Sequence, residues 1–165
     1  MKKEITHTSK ISLYNSVIEL PKEFHQLVEK AKQALSSSYS PYSGFQVSAA
    51  VELISGEIVL GSNQENIAYP SGLCAERVAL FSAGTNFPKQ NIKTIAITAT
   101  SINGPVTNPV TPCGSCRQVM IELEHNQKEP ITVIMTGSEG NVWVTNSVTD
   151  LIPFYFTSDK VNKQA

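Results

Sequence analysis

The chain has 165 residues and a formal net charge of -1, with 13 basic and 14 acidic side chains. This length suits one domain with a real core, whereas two independent domains would each be small. The near-neutral charge disfavours a nucleic-acid partner, which needs a basic surface. No apolar run approaches the roughly 18 residues of a membrane span, and the opening residues lack the apolar core of a signal peptide. These features predict a cytoplasmic protein.

The first half of the chain changes from one hydrophobic periodicity to another. Apolar residues recur every three or four positions after Pro21, which indicates an amphipathic helix with proline near its first turn. Apolar residues then alternate loosely with polar ones, and a Ser-Gly-Glu turn interrupts them as in a β-hairpin. The predicted elements are a short strand within residues 11–17, a helix over residues 21–38, and two antiparallel strands over residues 45–54 and 58–60.

Helices and strands alternate in the second half, which predicts right-handed crossovers and a partly parallel sheet covered by helices. The first of these helices begins at Cys74 and is expected to end at Gly84 as its C-cap. Because each helix begins where a strand has ended, the helix starts at Cys74 and Cys113 are predicted to meet at one edge of the sheet. The remaining predicted elements are strands over residues 92–100, 131–136 and 142–145 and a helix over residues 113–127.

Three cysteines, Cys74, Cys113 and Cys116, form a candidate metal set. An odd number of cysteines without a secretion signal argues against disulfides. The spacing of Cys113 and Cys116 places both sulfurs on one face of a helix, which fits a metal pair, a redox pair or two core thiols. Three thiolates with an open fourth position are typical of a catalytic zinc site rather than a structural one. The three histidines lie in the N-terminal extension or well inside predicted helices, so none is expected to complete the ligand set.

Charged residues flank the cysteines. Glu76 lies two positions after Cys74, where a carboxyl group could transfer protons to and from a metal-bound water, although first-turn glutamates are also common on helices. Arg77 and Arg117 each follow this set closely, and a guanidinium could donate to the thiolates and offset their negative charge. For Arg117, a solvated helix position is almost equally compatible with the sequence.

The motifs CAER at residues 74–77 and PCGSCRQ at residues 112–118 resemble those of the zinc-dependent cytidine deaminases, specifically the homotetrameric class with three cysteine ligands. The segments SPYSGFQVSAAVEL, GSNQENIAYP and DLIPFYF extend the resemblance over most of the chain. The resemblance implies a three-layer α/β/α fold with a mixed, mostly five-stranded sheet. It further implies one catalytic domain over residues 21–160, after an N-terminal extension of residues 1–20, and a homotetramer with shared active sites.

The resemblance also assigns roles to individual residues. It implies one Zn²⁺ per chain on the three cysteines, and Glu76 as the group that moves protons while water attacks C4 of the pyrimidine and ammonia leaves. The product would be uridine or deoxyuridine, in pyrimidine salvage. The implied nucleoside-binding residues are Asn63 and Glu65 on the ribose, Phe45 against the pyrimidine, Tyr69 and Ala75 in the pocket, and Phe156 from a neighbouring subunit. Arg77 matches the arginine that donates to the zinc-bound thiolates.

Two stretches depart from the family pattern, and three alternatives remain. Residues 70–73 read Pro-Ser-Gly-Leu beside the pocket, and Phe154 follows Pro153 where a glycine is usual. A deaminase of a modified nucleoside, of the blasticidin S type, would share the zinc set and differ in the pocket. A nucleic-acid editing deaminase would require a basic groove. A zinc-stabilised structural module without turnover would require a fourth ligand.

Overall fold

A computed structural model describes residues 2–157 of the chain. Within residues 2–157, the three α-helices are α1 (Lys22–Ala34), α2 (Ala75–Asn86) and α3 (Gly114–Gln127). The six strands are β1 (Ser12–Tyr14), β2 (Phe45–Leu53), β3 (Ile58–Ser62), β4 (Ile92–Ser101), β5 (Thr132–Thr136) and β6 (Val142–Thr145). The end of the predicted catalytic domain, residues 158–160, lies outside the described residues.

The strands form one mixed sheet in the order β1-β6-β5-β4-β2-β3. The β4 and β5 strands are parallel, and all other neighbours are antiparallel. Helix α1 covers one face of the sheet, while α2 and α3 cover the other. This arrangement confirms the predicted α/β/α class with a partly parallel sheet, but the sheet has six strands instead of mostly five.

The additional strand is β1, which lies before residue 21. Strand β1 pairs antiparallel with β6, with Ser12 opposite Val144 and Tyr14 opposite Val142. Just before β1, the Lys10 backbone N–H donates to the Asp150 carboxylate at 2.8 Å. The short predicted strand is therefore confirmed, and it covers the edge of the sheet that β6 would otherwise expose.

The helix ends differ from the predicted ones in two places. Helix α1 stops at Ala34 and continues only as a short 3₁₀ turn. The prediction that Gly84 caps α2 is wrong, because α2 continues through Asn86 and its C-cap is Phe87. Two side chains of the last turn stabilise it. The Asn86 amide donates to the Ser82 carbonyl, and the Thr85 hydroxyl donates to the Phe81 carbonyl.

Alternating side chains of the central strands fill two cores. On β2, Ala49 and Val51 belong to the core under α2 and α3, whereas Ala50 between them packs toward α1. Helix α2 approaches β3 very closely at Gly61, where an added Cβ would lie 2.4 Å from the Ala79 backbone nitrogen. This close approach fixes the height of the α2 N-terminus above the sheet edge. Within residues 2–157, no helix has the length and apolar character needed to cross a bilayer.

Candidate active site

The three cysteine sulfurs converge where α2 and α3 begin. Cys74 is the N-cap of α2 and Cys113 is the N-cap of α3, while Cys116 lies in the first turn of α3. The Cys74 and Cys113 Sγ atoms are 3.7 Å apart, and those of Cys113 and Cys116 are 3.5 Å apart. The predicted meeting of the two helix starts at one sheet edge is therefore confirmed.

The donor set fits zinc. All three Sγ atoms lie within 4.8 Å of one another, and these cysteines form the candidate metal group found among the described residues. Tetrahedral Zn–S bonds of about 2.3 Å separate two sulfurs by about 3.8 Å, close to the spacings present here. Cys116 is buried, whereas Cys74 and Cys113 line a cavity, so a cation held by the three sulfurs would have its remaining side toward that cavity.

The sulfurs are electrostatically unequal. A hydrogen bond from the Cys116 thiol, together with Arg77, lowers the pKa of Cys74 to about 5 despite its partial burial. The same hydrogen bond raises the pKa of Cys116, and burial raises it further. Cys74 therefore ionises before Cys116, whose proton would be displaced when a cation binds.

The Glu76 carboxyl lies beside this sulfur group. Its side chain lines the cavity although the residue is only 4% exposed. Burial raises its pKa, and the negative charge on Cys74 adds to this effect. A raised pKa favours a carboxyl group that can both accept and donate a proton, as a general acid–base group must.

The two arginines that follow the cysteines make different contacts. The Arg77 Nη2 atom donates to the Cys74 Sγ at 3.8 Å, a contact that a guanidinium supporting a thiolate would make. Its buried Nε atom has no hydrogen-bond partner among the described residues. The Arg117 guanidinium donates instead to the Pro112 and Leu151 carbonyls, at 2.7 and 2.8 Å. Its hydrogen bonds go to oxygens, and none to the sulfurs.

A cavity of about 540 Å³ opens above the sulfur group, within the size range of small-molecule sites. Six of the residues singled out in the sequence line it: Asn63, Glu65, Tyr69, Cys74, Glu76 and Cys113. The other nine lining residues have no role assigned to them from the sequence, and they lie mostly in loops: Tyr42, Ser43, Val47, Gln64, Asn66, Gly72, Leu73, Val110 and Thr111. Gly72 and Leu73 belong to the stretch that departs from the family pattern.

The side chains of Asn63 and Glu65 shape the rim of the cavity through hydrogen bonds. Asn63 accepts from the Val47 backbone N–H at 2.9 Å and donates to the Phe45 carbonyl at 2.9 Å. Glu65 accepts from the Tyr42 backbone N–H at 3.0 Å and from the Ser43 hydroxyl, and this hydroxyl is the main reason its pKa is lowered. Glu65 is thus held as a carboxylate at the cavity mouth.

Three other predicted nucleoside-binding residues do not line the cavity in the described part of the chain. Phe45 begins β2 and is partly buried, with its carbonyl bonded to Asn63. Ala75 begins α2 and is fully buried in the core. Phe156 is 63% exposed, and its backbone carbonyl accepts a hydrogen bond from Gln118 at 2.9 Å.

A mixed sheet lies between two layers of helices, and three thiols and a buried carboxyl meet at two helix N-termini. This arrangement is that of the zinc-dependent nucleobase deaminases. The family model described as the cytidine and deoxycytidylate deaminase zinc-binding region matches residues 21–130. A cytidine deaminase of Halalkalibacterium halodurans is 37% identical over 136 residues, which are 82% of this chain and 96% of that protein.

Solved structures agree. The crystal structure of cytidine deaminase from Burkholderia pseudomallei has a TM-score of 0.69 and 42% sequence identity, covering 80% of this chain and 98% of that one. The structure of cytidine deaminase from Mycobacterium tuberculosis has a TM-score of 0.63 and 27% identity, covering 83% and 99%. This chain belongs to the cytidine deaminase family.

Proposed function

We propose that the protein hydrolyses cytidine and deoxycytidine to uridine and deoxyuridine with release of ammonia. The observation that carries this proposal is the buried Glu76 carboxyl beside three converging sulfurs at a cavity of nucleoside size. A redox pair or a set of core thiols would not require a buried carboxyl group, whereas hydrolytic deamination needs a group that moves several protons.

Cys74, Cys113 and Cys116 would hold one Zn²⁺ per chain, and zinc supplies the Lewis acidity that makes water a nucleophile near neutral pH. Glu76 accepts a proton from the attacking water and delivers it to N3 of the pyrimidine. The C4–O bond forms, and Glu76 then takes the proton of the new C4 hydroxyl group and gives it to the exocyclic amine. The C4–N bond breaks, ammonia leaves, and the C4 oxygen becomes the carbonyl oxygen of uridine. Water and cytidine are consumed, and uridine and ammonia are produced, so atoms and charge balance.

The nucleoside-binding roles are part of the proposal. Asn63 and Glu65 would bind the ribose hydroxyls, and their position on the cavity lining supports this. Tyr69 lines the same cavity and is 76% exposed, so its ring is available to a ligand at the mouth. Phe45 would pack against the pyrimidine, and Ala75 would contribute from the start of α2. Both would require the ligand to reach past the present cavity lining.

We further propose a homotetramer in which Phe156 reaches the site of a neighbouring subunit. Such an assembly would cover exposed apolar side chains such as Phe81 on α2, which is 51% exposed, and Ile102, which is 78% exposed. In this proposal residues 21–160 form the single catalytic domain. The enzyme would act on free nucleosides in cytoplasmic pyrimidine salvage, without nucleic-acid or membrane partners.

Turnover of cytidine tests the function. Purified zinc-loaded protein is incubated with cytidine or deoxycytidine, and uridine formation and ammonia release are measured together. We expect equal amounts of both products, loss of turnover after chelation, and recovery when zinc is restored. Zinc-free protein with added magnesium is the control for metal specificity.

The rival functions give different outcomes in the same assay. Turnover of blasticidin S without cytidine turnover would favour a modified nucleoside as substrate. Deamination confined to cytosines in single-stranded DNA, with an affinity that falls steeply with salt, would favour nucleic-acid editing. Full zinc occupancy without turnover of any of these substrates would favour a structural zinc module.

A further inference from the structure

Arg117 joins three parts of the chain beside the cavity. Its Nε donates to the Pro112 carbonyl at 2.7 Å and its Nη1 to the Leu151 carbonyl at 2.8 Å. Its Nη2 lies 3.4 Å from the Thr111 hydroxyl. The side chain therefore connects the loop before α3, the α3 helix itself and the start of the C-terminal segment.

The loop that Arg117 holds forms one wall of the cavity. Val110, Thr111 and Cys113 all line the cavity, and Pro112 between them is buried. At its other end the wall is fixed to the sheet, because the Val110 backbone N–H donates to the Thr136 carbonyl at 3.2 Å. Between this anchor and the helix, the Arg117 guanidinium provides side-chain hydrogen bonds to the wall.

The geometry requires a guanidinium. Arginine presents its N–H groups in a planar fork, so one side chain can bond two carbonyl oxygens in fixed directions. A lysine ammonium has the same charge but bonds from a single nitrogen on a flexible stem. A different hydrogen bond holds the Cys113 backbone. The Arg117 backbone N–H donates to the Cys113 carbonyl at 2.9 Å, and this bond does not depend on the side chain at position 117.

We propose that Arg117 is a positioning residue that sets the cavity wall formed by residues 110–113, and so the fit of the nucleoside, by tying that wall to Leu151. The inference rests on the proposed function. It adds that Arg117 affects substrate binding through the wall, without itself contacting zinc or substrate. It assigns to Arg117 a task different from that of Arg77, which contacts a sulfur.

The test compares Arg117→Ala and Arg117→Lys with Glu122→Ala, a control at an exposed position of the same helix. For each variant, KM and kcat for cytidine, zinc content, and hydrogen exchange of the peptide spanning residues 106–116 are measured. In Arg117→Ala we expect KM to rise about tenfold, as for the loss of one charge-assisted hydrogen bond, with a much smaller change in kcat. Zinc stays bound, exchange in residues 110–113 accelerates, and Arg117→Lys recovers only part of the wild-type KM.

Wild-type KM and wild-type exchange in Arg117→Ala would overturn the proposal. Full recovery by Arg117→Lys would also overturn it, since charge alone would then suffice. Loss of zinc in both variants would show that the residue supports the metal rather than the wall. If Arg117→Ala does not fold, Arg117→Lys carries the same comparison. A wild-type protein that does not turn over cytidine would refute the proposed function, whereas the exchange measurement would still test the hold on the wall.

Discussion

The sulfur atoms of Cys74 and Cys113 lie 3.7 Å apart although 39 positions separate the two residues. The loop before Cys74 is closed on itself, because Gln64 and Leu73 exchange two backbone hydrogen bonds of 2.9 Å. This closure returns the chain to the edge of the sheet where α3 begins. The positions of the three sulfurs are therefore fixed by the backbone. We expect zinc binding to require the loss of thiol protons rather than a rearrangement of the fold.

Zinc affinity is predicted to fall as pH decreases from 8 to 6. The pKa of Cys74 is lowered to about 5, so this thiol is already ionised in that range, whereas the pKa of Cys116 is raised and its proton must leave when zinc binds. Displacing at least one proton makes the apparent affinity fall at least about tenfold per pH unit. Competition with a chromophoric chelator at pH 6, 7 and 8 measures this slope. An affinity independent of pH would contradict the prediction.

Glu76→Gln is predicted to retain zinc and to lose most of the deaminase activity. Glutamine keeps the shape of the side chain but cannot exchange the proton, so kcat should fall roughly 10²-fold or more. The conservative control is Glu122→Gln, at an exposed position of α3, which should keep wild-type turnover. Zinc content and kcat are measured on the same samples. A Glu76→Gln protein with wild-type kcat would remove Glu76 from the mechanism.

Gly61→Ala is predicted to destabilise the fold and to weaken zinc binding. The added methyl group would lie 2.4 Å from the Ala79 nitrogen and 2.6 Å from the Ala75 carbonyl oxygen, so α2 would have to move away from β3. Overpacking of this kind typically costs about 1–3 kcal/mol. Because α2 carries Glu76 and is capped by Cys74, its displacement should also separate the sulfurs.

Gly84→Ala is the matched control for Gly61→Ala. It places the same methyl group on α2 itself, where nothing lies within 4 Å. Alanine is favoured over glycine inside a helix by about 1 kcal/mol, so this variant should be slightly more stable than wild type. Urea denaturation and zinc titration of both variants give the comparison. Equal effects of the two substitutions would contradict the role of close packing at Gly61.

The features that sequence reasoning predicts correctly have local causes. The periodicity of α1 and the alternation of β2 follow from which side chains face a core, and the meeting of Cys74 with Cys113 follows from the order of strands and helices. Each of these depends on neighbours within one element or on a general rule of topology.

The features that it misses depend on distant partners. The guanidinium of Arg117 bonds to Leu151, 34 positions away, and no local pattern distinguishes this from a contact with the nearby sulfurs. Val110 and Thr111 line the cavity from a loop without periodicity. Glycine is a common C-cap, which predicts that α2 ends at Gly84, but the Asn86 side chain stabilises a further half turn.

Glu124→Ala is predicted to destabilise the protein strongly without changing the zinc site. The Glu124 carboxylate accepts from the backbone N–H groups of Ile131 and Val148, each at 2.8 Å, and from the Ser147 hydroxyl at 2.7 Å. Alanine would leave two buried N–H groups without an acceptor, a loss of about 3 kcal/mol. Glu122→Ala, exposed on the same helix, should change the free energy of unfolding by less than about 0.5 kcal/mol. Urea denaturation measures both, and similar values for the two variants would refute the prediction.

Phe154 adopts a left-handed backbone conformation, with φ of 57°, at the position where the sequence pattern of the family has glycine. A residue with a Cβ pays roughly 1–2 kcal/mol in this region, whereas glycine does not. The Phe154 ring also lies 6.5 Å from the ring of His7, so removing the side chain has a second effect.

Phe154→Gly and Phe154→Ala both lose the ring, but only glycine relieves the backbone strain. We expect Phe154→Gly to be more stable than Phe154→Ala by about 1 kcal/mol in urea denaturation. Equal stability of Phe154→Gly and Phe154→Ala would contradict the prediction, because the two variants differ only in the cost of the left-handed backbone conformation.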